Sequence, residues 1–234
     1  MCTVTFIKNN KGEFVLTSNR DEKVFRETLP PTIVEKGGRQ CIVPQDKEAG
    51  GTWIALDNTP AIYCLLNGGF TKHISTNNYK KSRGIIILDL IEMGSFDTFV
   101  KEYSFKGLEP FTLIVFQNDI LRELKWDGEN VFCKELNANQ PHIWSSATLY
   151  TKEEAEYKAK LMQKLLPTNP TNSEIFSLHR KAFFLESIKQ TKTVSISQLT
   201  VKEDSTLFYY NDLLAQKFDT ISLKYTTPKE IIIK

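Results

Sequence analysis

Two short apolar segments stand at the start of the chain, on either side of a polar loop that contains a glycine. They occupy residues 4–7 and 14–17, and the loop occupies residues 8–13. Two β-rich segments around such a loop are typical of a β-hairpin. Because a hairpin returns its second strand beside its first, the pattern predicts that the polar cluster at 19–22 lies next to Cys2.

Further along the chain, apolar positions alternate between strand-like and helix-like spacing. Short segments bounded by polar turns predict strands at 52–56, 61–66, 111–117, 120–126, 130–136, 142–146, 193–199, 205–211 and 218–224. Helical spacing predicts a helix that stops at Gly94 and a short helix capped by Ser95. Two more helices are predicted over 151–166, where a capping box begins the helix, and over 173–181.

The stretch 23–40 shows neither kind of spacing. It contains Pro30-Pro31 and Gly37-Gly38, which mark breaks in regular structure. The sequence therefore predicts an irregular loop that crosses the face of the sheet.

The order of elements is strands, helices, strands, helices and strands. Runs of strands separated by helical pairs indicate an α+β fold with mainly antiparallel sheets. Two sheets stacked face to face, with helices on the outside, use every element. The predicted architecture is a four-layer αββα sandwich, in one domain over residues 1–234, a length that can bury a sizeable core.

Composition and charge narrow the range of partners. The 30 basic and 28 acidic residues are interspersed, so no nucleic-acid surface is expected. No secretory signal and no apolar run of bilayer length are seen, and the expected location is the cytoplasm. Cys41, Cys64 and Cys133 are widely spaced and are predicted to pack as small apolar residues in a reducing compartment. The histidines are isolated too, so no metal site and no cofactor are predicted.

Cys2 becomes the first residue if Met1 is removed, and it then carries both a thiol and a free α-amine. Their ordinary pKa values, about 8.5 and about 8, allow proton transfer between them near neutral pH. One residue can then supply nucleophile and general base, as in N-terminal nucleophile hydrolases. Arg20 would favour the thiolate, and Asp21 would hold the amine. The alternative is structural: an ordinary first strand and, at 19–22, a solvated turn with weak ion pairs.

Short motifs occur in a characteristic order along the first third of the chain. They are Met1-Cys2, Asn19-Arg20-Asp21-Glu22, Arg26 with Pro30-Pro31, Gly50-Gly51-Thr52-Trp53, Asn67 and Ser82-Arg83-Gly84. In this order they resemble the NRDE protein family, also called the transport and Golgi organisation family; the likeness is close over residues 1–85 and loose beyond. The resemblance implies an N-terminal nucleophile hydrolase fold akin to penicillin V acylases and bile salt hydrolases. Those enzymes cleave non-peptide amide bonds with an N-terminal cysteine assisted by arginine and aspartate.

Two departures from the family pattern concern the oxyanion site. Family members commonly carry Ser-Asn-Ala where this chain has Ser145-Ser146-Ala147, so Ser146 would offer one hydroxyl in place of an amide. Near Asn67, the family usually has an arginine where this chain has two glycines. The Asn67 amide and the backbone N–H of Gly68 or Gly69 are the candidate donors; the alternative is that Asn67-Gly68 simply turns the chain.

The predicted site thus contains catalytic and substrate-binding residues. The catalytic residues are Cys2, Arg20, Asp21 and Asn67, and the substrate-binding residues are Asn19, Trp53 and Ser146. Trp53 and Phe70 are both candidates for lining an acyl pocket, with core packing as the alternative for each.

Two functions stay open at this point. The first is a cysteine hydrolase that cleaves a small-molecule amide through an acyl-Cys2 intermediate. The second is a non-catalytic carrier that binds a lipid-like ligand or haem in the cleft of the same fold. A retained Met1 would exclude the first mechanism, because it blocks the α-amine of Cys2.

Overall fold

The computed structural model describes residues 2–76, 79–181 and 191–225, with Cys2 described by its backbone. The strands in these ranges are β1 (Cys2–Lys8), β2 (Phe14–Glu22), β3 (Thr28–Lys36), β4 (Arg39–Asp46), β5 (Ile54–Asp57), β6 (Ile62–Asn67), β7 (Phe111–Gln117), β8 (Ile120–Trp126), β9 (Val131–Leu136), β10 (His142–Ser145), β11 (Lys192–Val201), β12 (Ser205–Asp212) and β13 (Lys217–Lys224). The helices are α1 (Gly84–Met93), α2 (Phe96–Glu102), α3 (Lys152–Leu165) and α4 (Asn172–His179).

The strands form two antiparallel sheets. One has six strands in the order β10-β1-β2-β11-β12-β13, and the other has seven in the order β3-β4-β5-β6-β7-β8-β9. In the seven-stranded sheet each strand pairs with its neighbours in sequence, so the sheet is a continuous meander. In the six-stranded sheet, β2 pairs with β11 across a long stretch of chain and so joins the two ends of the protein.

Apolar clusters define four layers. One large cluster lies between the sheets, where side chains such as Phe6 and Leu16 pack against Ile54 and Phe116. A second cluster packs the other face of the seven-stranded sheet against α1 and α2. Two small clusters join α3 and α4 to the outer face of the six-stranded sheet. The predicted αββα sandwich of antiparallel sheets is confirmed.

Most local predictions are confirmed as well. Gly94 ends α1 in the left-handed conformation, with φ of 77°, and the Ser95 side chain accepts the Thr98 N–H at the start of α2. Thr151 forms the capping box that begins α3. A second capping box, centred on Thr171, begins α4 one residue earlier than the sequence indicates.

The segment 23–40 is where the prediction is wrong. Instead of a loop, most of it forms β3 and the start of β4, which are joined by a tight turn at Gly37-Gly38 with positive φ at both glycines. Pro30 and Pro31 are tolerated because β3 is an edge strand and its pairing shifts register between Leu29 and Thr32. Proline cannot donate a ladder hydrogen bond, and an edge or a bulge is where this matters least.

The cysteine prediction is confirmed in part. Cys41 and Cys64 are buried in the two main apolar clusters. Cys133 is exposed on the edge strand β9, where the residues from 132 to 135 are all exposed. It does not pack as a small apolar residue.

Candidate functional site

The opening hairpin brings Cys2 and Arg20 together. Strands β1 and β2 pair from Cys2 opposite Arg20 to Lys8 opposite Phe14, so the cluster at 19–22 returns beside Cys2 as the sequence predicts. The cluster at 19–22 is part of β2 and is at most 7 % exposed at any residue. It is not a solvated turn, because β2 is a central strand with β1 on one side and β11 on the other.

Alternation along β2 sends the cluster to two different faces of the sheet. Arg20 contacts residues of the seven-stranded sheet, so it lies between the sheets. Asp21 contacts Tyr150 and Thr193 on the helix side. Cys2 stands two residues before Val4 in β1, and Val4 packs in the core between the sheets.

Arg20 is held in a buried and charged environment. Its Nη2 donates to Asp46 Oδ2 at 2.8 Å, and its guanidinium lies over the Trp53 ring at 4.5 Å from the centroid. Its Nη1 has no hydrogen-bond partner among the described residues, although the residue is only 3 % exposed. A buried guanidinium with a spare donor can stabilise a nearby thiolate or oxyanion.

Asp46 anchors this arrangement. The same Oδ2 that accepts from Arg20 also lies 2.7 Å from Arg26 Nε, in a second ion pair. Oδ1 accepts the backbone N–H groups of Glu48 and Ala49. Burial alone would raise the pKa of the Asp46 carboxyl, but these N–H groups and guanidinium charges outweigh it and lower the pKa.

Asp21 is fully buried and is oriented by two hydroxyl groups. Tyr150 donates to Oδ2 at 2.8 Å, and Thr193 donates to Oδ1 at 2.6 Å. Burial raises the pKa of Asp21, while the two hydrogen bonds and the charge of Lys158 act in the opposite direction. The carboxyl is therefore fixed in place at the end of β2, beside the start of β1.

Lys158 of α3 is a buried amine on the same face. It donates to Thr3 Oγ1 at 2.8 Å and lies 3.5 Å from the centroid of the Tyr150 ring. Burial lowers its pKa to about 8, although Asp21 and Glu154 favour the charged form. Lys158 and Tyr150 together form the support behind Asp21.

Asn19 takes part in a different network. Its side chain donates to the backbone oxygen of His179 at 3.0 Å, and its Oδ1 contacts His179 Nδ1. His179 Nε2 lies 2.8 Å from Thr5 Oγ1. These groups are fully buried between β1, β2 and α4, so the sheet separates Asn19 from the face that Arg20 occupies.

A cavity of about 100 Å³ adjoins Arg20 between the two sheets. Its lining is mostly polar and consists of Arg20, Glu22, Arg26, Asp46, Ala49, Gly51, Thr52, Trp53, Leu65, Asn67, Ser82, Arg83 and Gly84. Trp53 therefore belongs both to the core and to the cavity wall. Phe70 is 54 % exposed, so it is not a core residue, and it does not line this cavity. It lines a separate cavity of about 620 Å³ together with Trp144 and Tyr150.

The candidate oxyanion donors differ in availability. Ser146 is buried, and its hydroxyl donates to the backbone oxygen of Asn67 at 2.8 Å, so it supports the Asn67 backbone. The Gly68 N–H donates to the backbone oxygen of Pro110 at 2.9 Å and is already in use. Asn67 lines the same cavity as Arg20, and its side-chain amide remains the candidate donor.

Several residues of the site carry no signal in the sequence. They are Asp46, Tyr150, Lys158, His179 and Thr193. Each lies far along the chain from the residue it supports, and none stands in a recognisable motif. The pairing of β2 with β11, once known, would have pointed to Thr193 opposite Asp21.

Within residues 2–76, 79–181 and 191–225, no three histidine, cysteine or acidic side chains come close enough to hold a metal ion. In the same part of the chain, no helix combines the length and the apolar character that a membrane crossing requires.

Comparison with known sequences identifies one family. The sequence profile described as "Transport and Golgi organisation 2" matches residues 1–233. A search of curated proteins finds no match.

Comparison with solved structures identifies the fold. An N-acylethanolamine-hydrolyzing acid amidase ortholog of Caenorhabditis elegans superposes with a TM-score of 0.62 at 13 % identity, covering 85 % of this chain and 92 % of its own. A mutant of the conjugated bile acid hydrolase of Clostridium perfringens gives 0.54 at 7 % identity, with 98 % of both chains covered. A variant of the same hydrolase gives 0.55 at 8 % identity, covering 97 % of this chain and 98 % of its own. The fold is that of N-terminal nucleophile hydrolases.

Proposed function

This chain belongs to the Transport and Golgi organisation 2 family, and we propose that it is a cysteine hydrolase that cleaves a small-molecule amide. The observation that carries the proposal is the register of the first hairpin, which sets Cys2 directly opposite the buried Arg20. The similar structures support it, since they are named as amidases and hydrolases. The mutant hydrolase of Clostridium perfringens has its own position-2 cysteine replaced by alanine.

In the proposed reaction, the α-amine of Cys2 takes the thiol proton and Sγ attacks the amide carbonyl carbon. The C–N bond breaks, and the resulting ammonium group returns its proton to the leaving amine. Water then attacks the thioester, the C–S bond breaks, and a carboxylic acid and the thiol are released. Removal of Met1 is a condition of this scheme, and Met1 lies outside the described residues.

The surrounding residues have distinct proposed roles. The spare Nη1 of Arg20 favours the thiolate, and the Asn67 amide binds the developing oxyanion. Asp21, oriented by Tyr150 and Thr193, holds the amine. A reducing compartment such as the cytoplasm would keep the thiol free. No observation within the described residues favours the carrier of a lipid-like ligand or haem over this reading.

The proposal is tested by the state and reactivity of residue 2. Mass spectrometry of the purified protein should show a chain that begins at Cys2. Incubation with p-nitrophenyl acetate should release a burst of p-nitrophenol and leave an acetyl group on Cys2. Cys2→Ala should abolish the burst, whereas Cys133→Ala, which removes an exposed thiol, should leave it intact. A fully retained Met1, or acetylation without preference for Cys2, would refute the proposal.

A further inference from the structure

One carboxylate in the cavity wall lacks a full set of partners. Glu22 is only 7 % exposed, and its Oε1 accepts the Lys23 N–H at 3.0 Å. Among the described residues, the nearest cation to its Oε2 is Arg26 Nη1 at 3.8 Å, which is beyond hydrogen-bond distance. A buried carboxylate is costly unless charged donors contact it. The cavity therefore has an unfilled position for a cation beside Glu22.

The same cavity has a partly exposed guanidinium. Arg26 pairs with Asp46 through Nε at 2.7 Å, its Nη1 lies 3.8 Å from Glu22, and its side chain is one-third exposed. Guanidinium groups of this kind bind carboxylates well, because their fork of N–H donors matches the two oxygens. The cavity therefore also has a position for an anion, next to the position for a cation.

Size and polarity restrict what fills these positions. The cavity is smaller than the roughly 300–1,000 Å³ of ordinary ligand pockets. Its apolar lining is confined to Ala49, Trp53 and Leu65, so a hydrocarbon chain would bury charges without pairing them. A small group with one charge of each sign would instead pair both.

We propose that this cavity binds the free α-amino acid end of the substrate's acyl group, with the ammonium on Glu22 and the carboxylate on Arg26. The inference rests on the proposed function and names its substrate class. Because both α groups must be free, the scissile amide lies on the side-chain carboxyl. The substrates are thus γ-glutamyl or β-aspartyl amides, and hydrolysis yields glutamate or aspartate and an amine.

Matched substrates test the two charges separately. The 7-amino-4-methylcoumarin amides of γ-glutamate, glutarate and 4-aminobutyrate share one leaving group. Glutarate lacks the α-ammonium, and 4-aminobutyrate lacks the α-carboxylate. Each omission should lower kcat/KM by about tenfold or more, the equivalent of one charge-assisted hydrogen bond. Equal turnover of all three, or faster turnover of the hexadecanoyl amide, would overturn the inference.

Variants connect each charge to its residue. Glu22→Gln should lower kcat/KM for the γ-glutamyl amide by about tenfold and leave the glutaryl amide nearly unaffected. Arg26→Gln should lower kcat/KM for the γ-glutamyl and glutaryl amides and leave that for the 4-aminobutyryl amide nearly unchanged. Glu48→Gln is the matched control, because Glu48 is 80 % exposed, is not part of the cavity lining, and lies 3.9 Å from Arg26. If either variant lowered kcat/KM equally for all three amides, the assignment of that charge to that residue would be wrong.

A binding measurement separates this inference from the catalytic proposal. Isothermal titration of L-glutamate and L-aspartate into the Cys2→Ala protein should show binding of at least one of them. Glu22→Gln in the same background should abolish the binding, and glutarate should bind at least about tenfold more weakly. Binding without any turnover would support the cavity assignment and refute the hydrolase. Turnover of amides with no binding of either amino acid would support the hydrolase and refute the cavity assignment.

Discussion

His179 shows how a single buried residue sets a requirement on pH. It is fully buried, with one ring nitrogen against Asn19 and the other 2.8 Å from Thr5 Oγ1. Burial, assisted by the charge of Lys158, lowers its pKa to about 3. The folded protein therefore holds this ring neutral throughout the physiological range.

The pH dependence of stability follows from that shift. Below about pH 6.5 the unfolded chain binds a proton at His179 that the folded chain does not, so stability falls as pH falls. Between pH 7 and pH 5 this residue should cost about 2 kcal/mol of unfolding free energy, measured by urea denaturation. His179→Gln should show a shallower dependence, and His142→Gln, at a solvent-exposed hydrogen bond, should keep that of the wild type. If the unfolding free energies of wild type and His179→Gln changed equally with pH, this account would be contradicted.

At the scale of elements, a contact between two glycines builds the cavity wall. Gly51 follows β4, and Gly84 begins α1. A Cβ atom at Gly51 would lie 2.5 Å from the carbonyl carbon of Gly84, and the Thr52 N–H donates to the Gly84 oxygen at 2.9 Å. This close approach is what brings Arg83 into the same cavity wall as Arg20.

Adding a methyl group at this contact should be costly. Gly51→Ala should lower the unfolding free energy by about 1–3 kcal/mol, because backbone must move to admit it. Gly50→Ala is the neighbouring comparison: a Cβ there meets no atom within 4 Å, and only its φ of +67° is unfavourable, by about 1–2 kcal/mol. Glutamate affinity in the Cys2→Ala background should fall for Gly51→Ala and persist for Gly50→Ala. The reverse order of affinities would show that the glycine contact does not shape the cavity.

At the scale of the whole molecule, aromatic packing between the sheets holds the two halves together. The ring of Phe116, in the seven-stranded sheet, lies 5.3 Å from that of Phe6 and 4.6 Å from that of Phe14, both in the six-stranded sheet. All cavity residues depend on this spacing, because Arg20 comes from one sheet and Asp46 and Trp53 come from the other.

Truncation of the Phe116 side chain should therefore strongly destabilise the fold. Phe116→Ala should lower the unfolding free energy by about 3–5 kcal/mol, as expected for a buried phenylalanine. Phe132→Ala, in the same sheet but 46 % exposed, should cost less than about 1 kcal/mol. The comparison by urea denaturation uses the same chemical change at both positions. A similar loss for the two variants would show that the space between the sheets is not the main core.

The elements themselves follow from the sequence by itself. Strand alternation, the capping box at Thr151, the stop at Gly94 and the register of the first hairpin all depend on residues close in the chain. Local chemistry determines such features, so the sequence alone predicts that the cluster at 19–22 lies beside Cys2. The layered α+β architecture follows from the order of the same elements.

Only the tertiary structure decided how the site is divided and supported. It made the cluster at 19–22 part of a central strand between β1 and β11, and it made an edge strand of a segment whose prolines indicate a loop. It also supplied Asp46 and Tyr150 from distant parts of the chain. The physical reason is that burial and charge pairing depend on which surfaces pack together, and neighbours in sequence do not determine this.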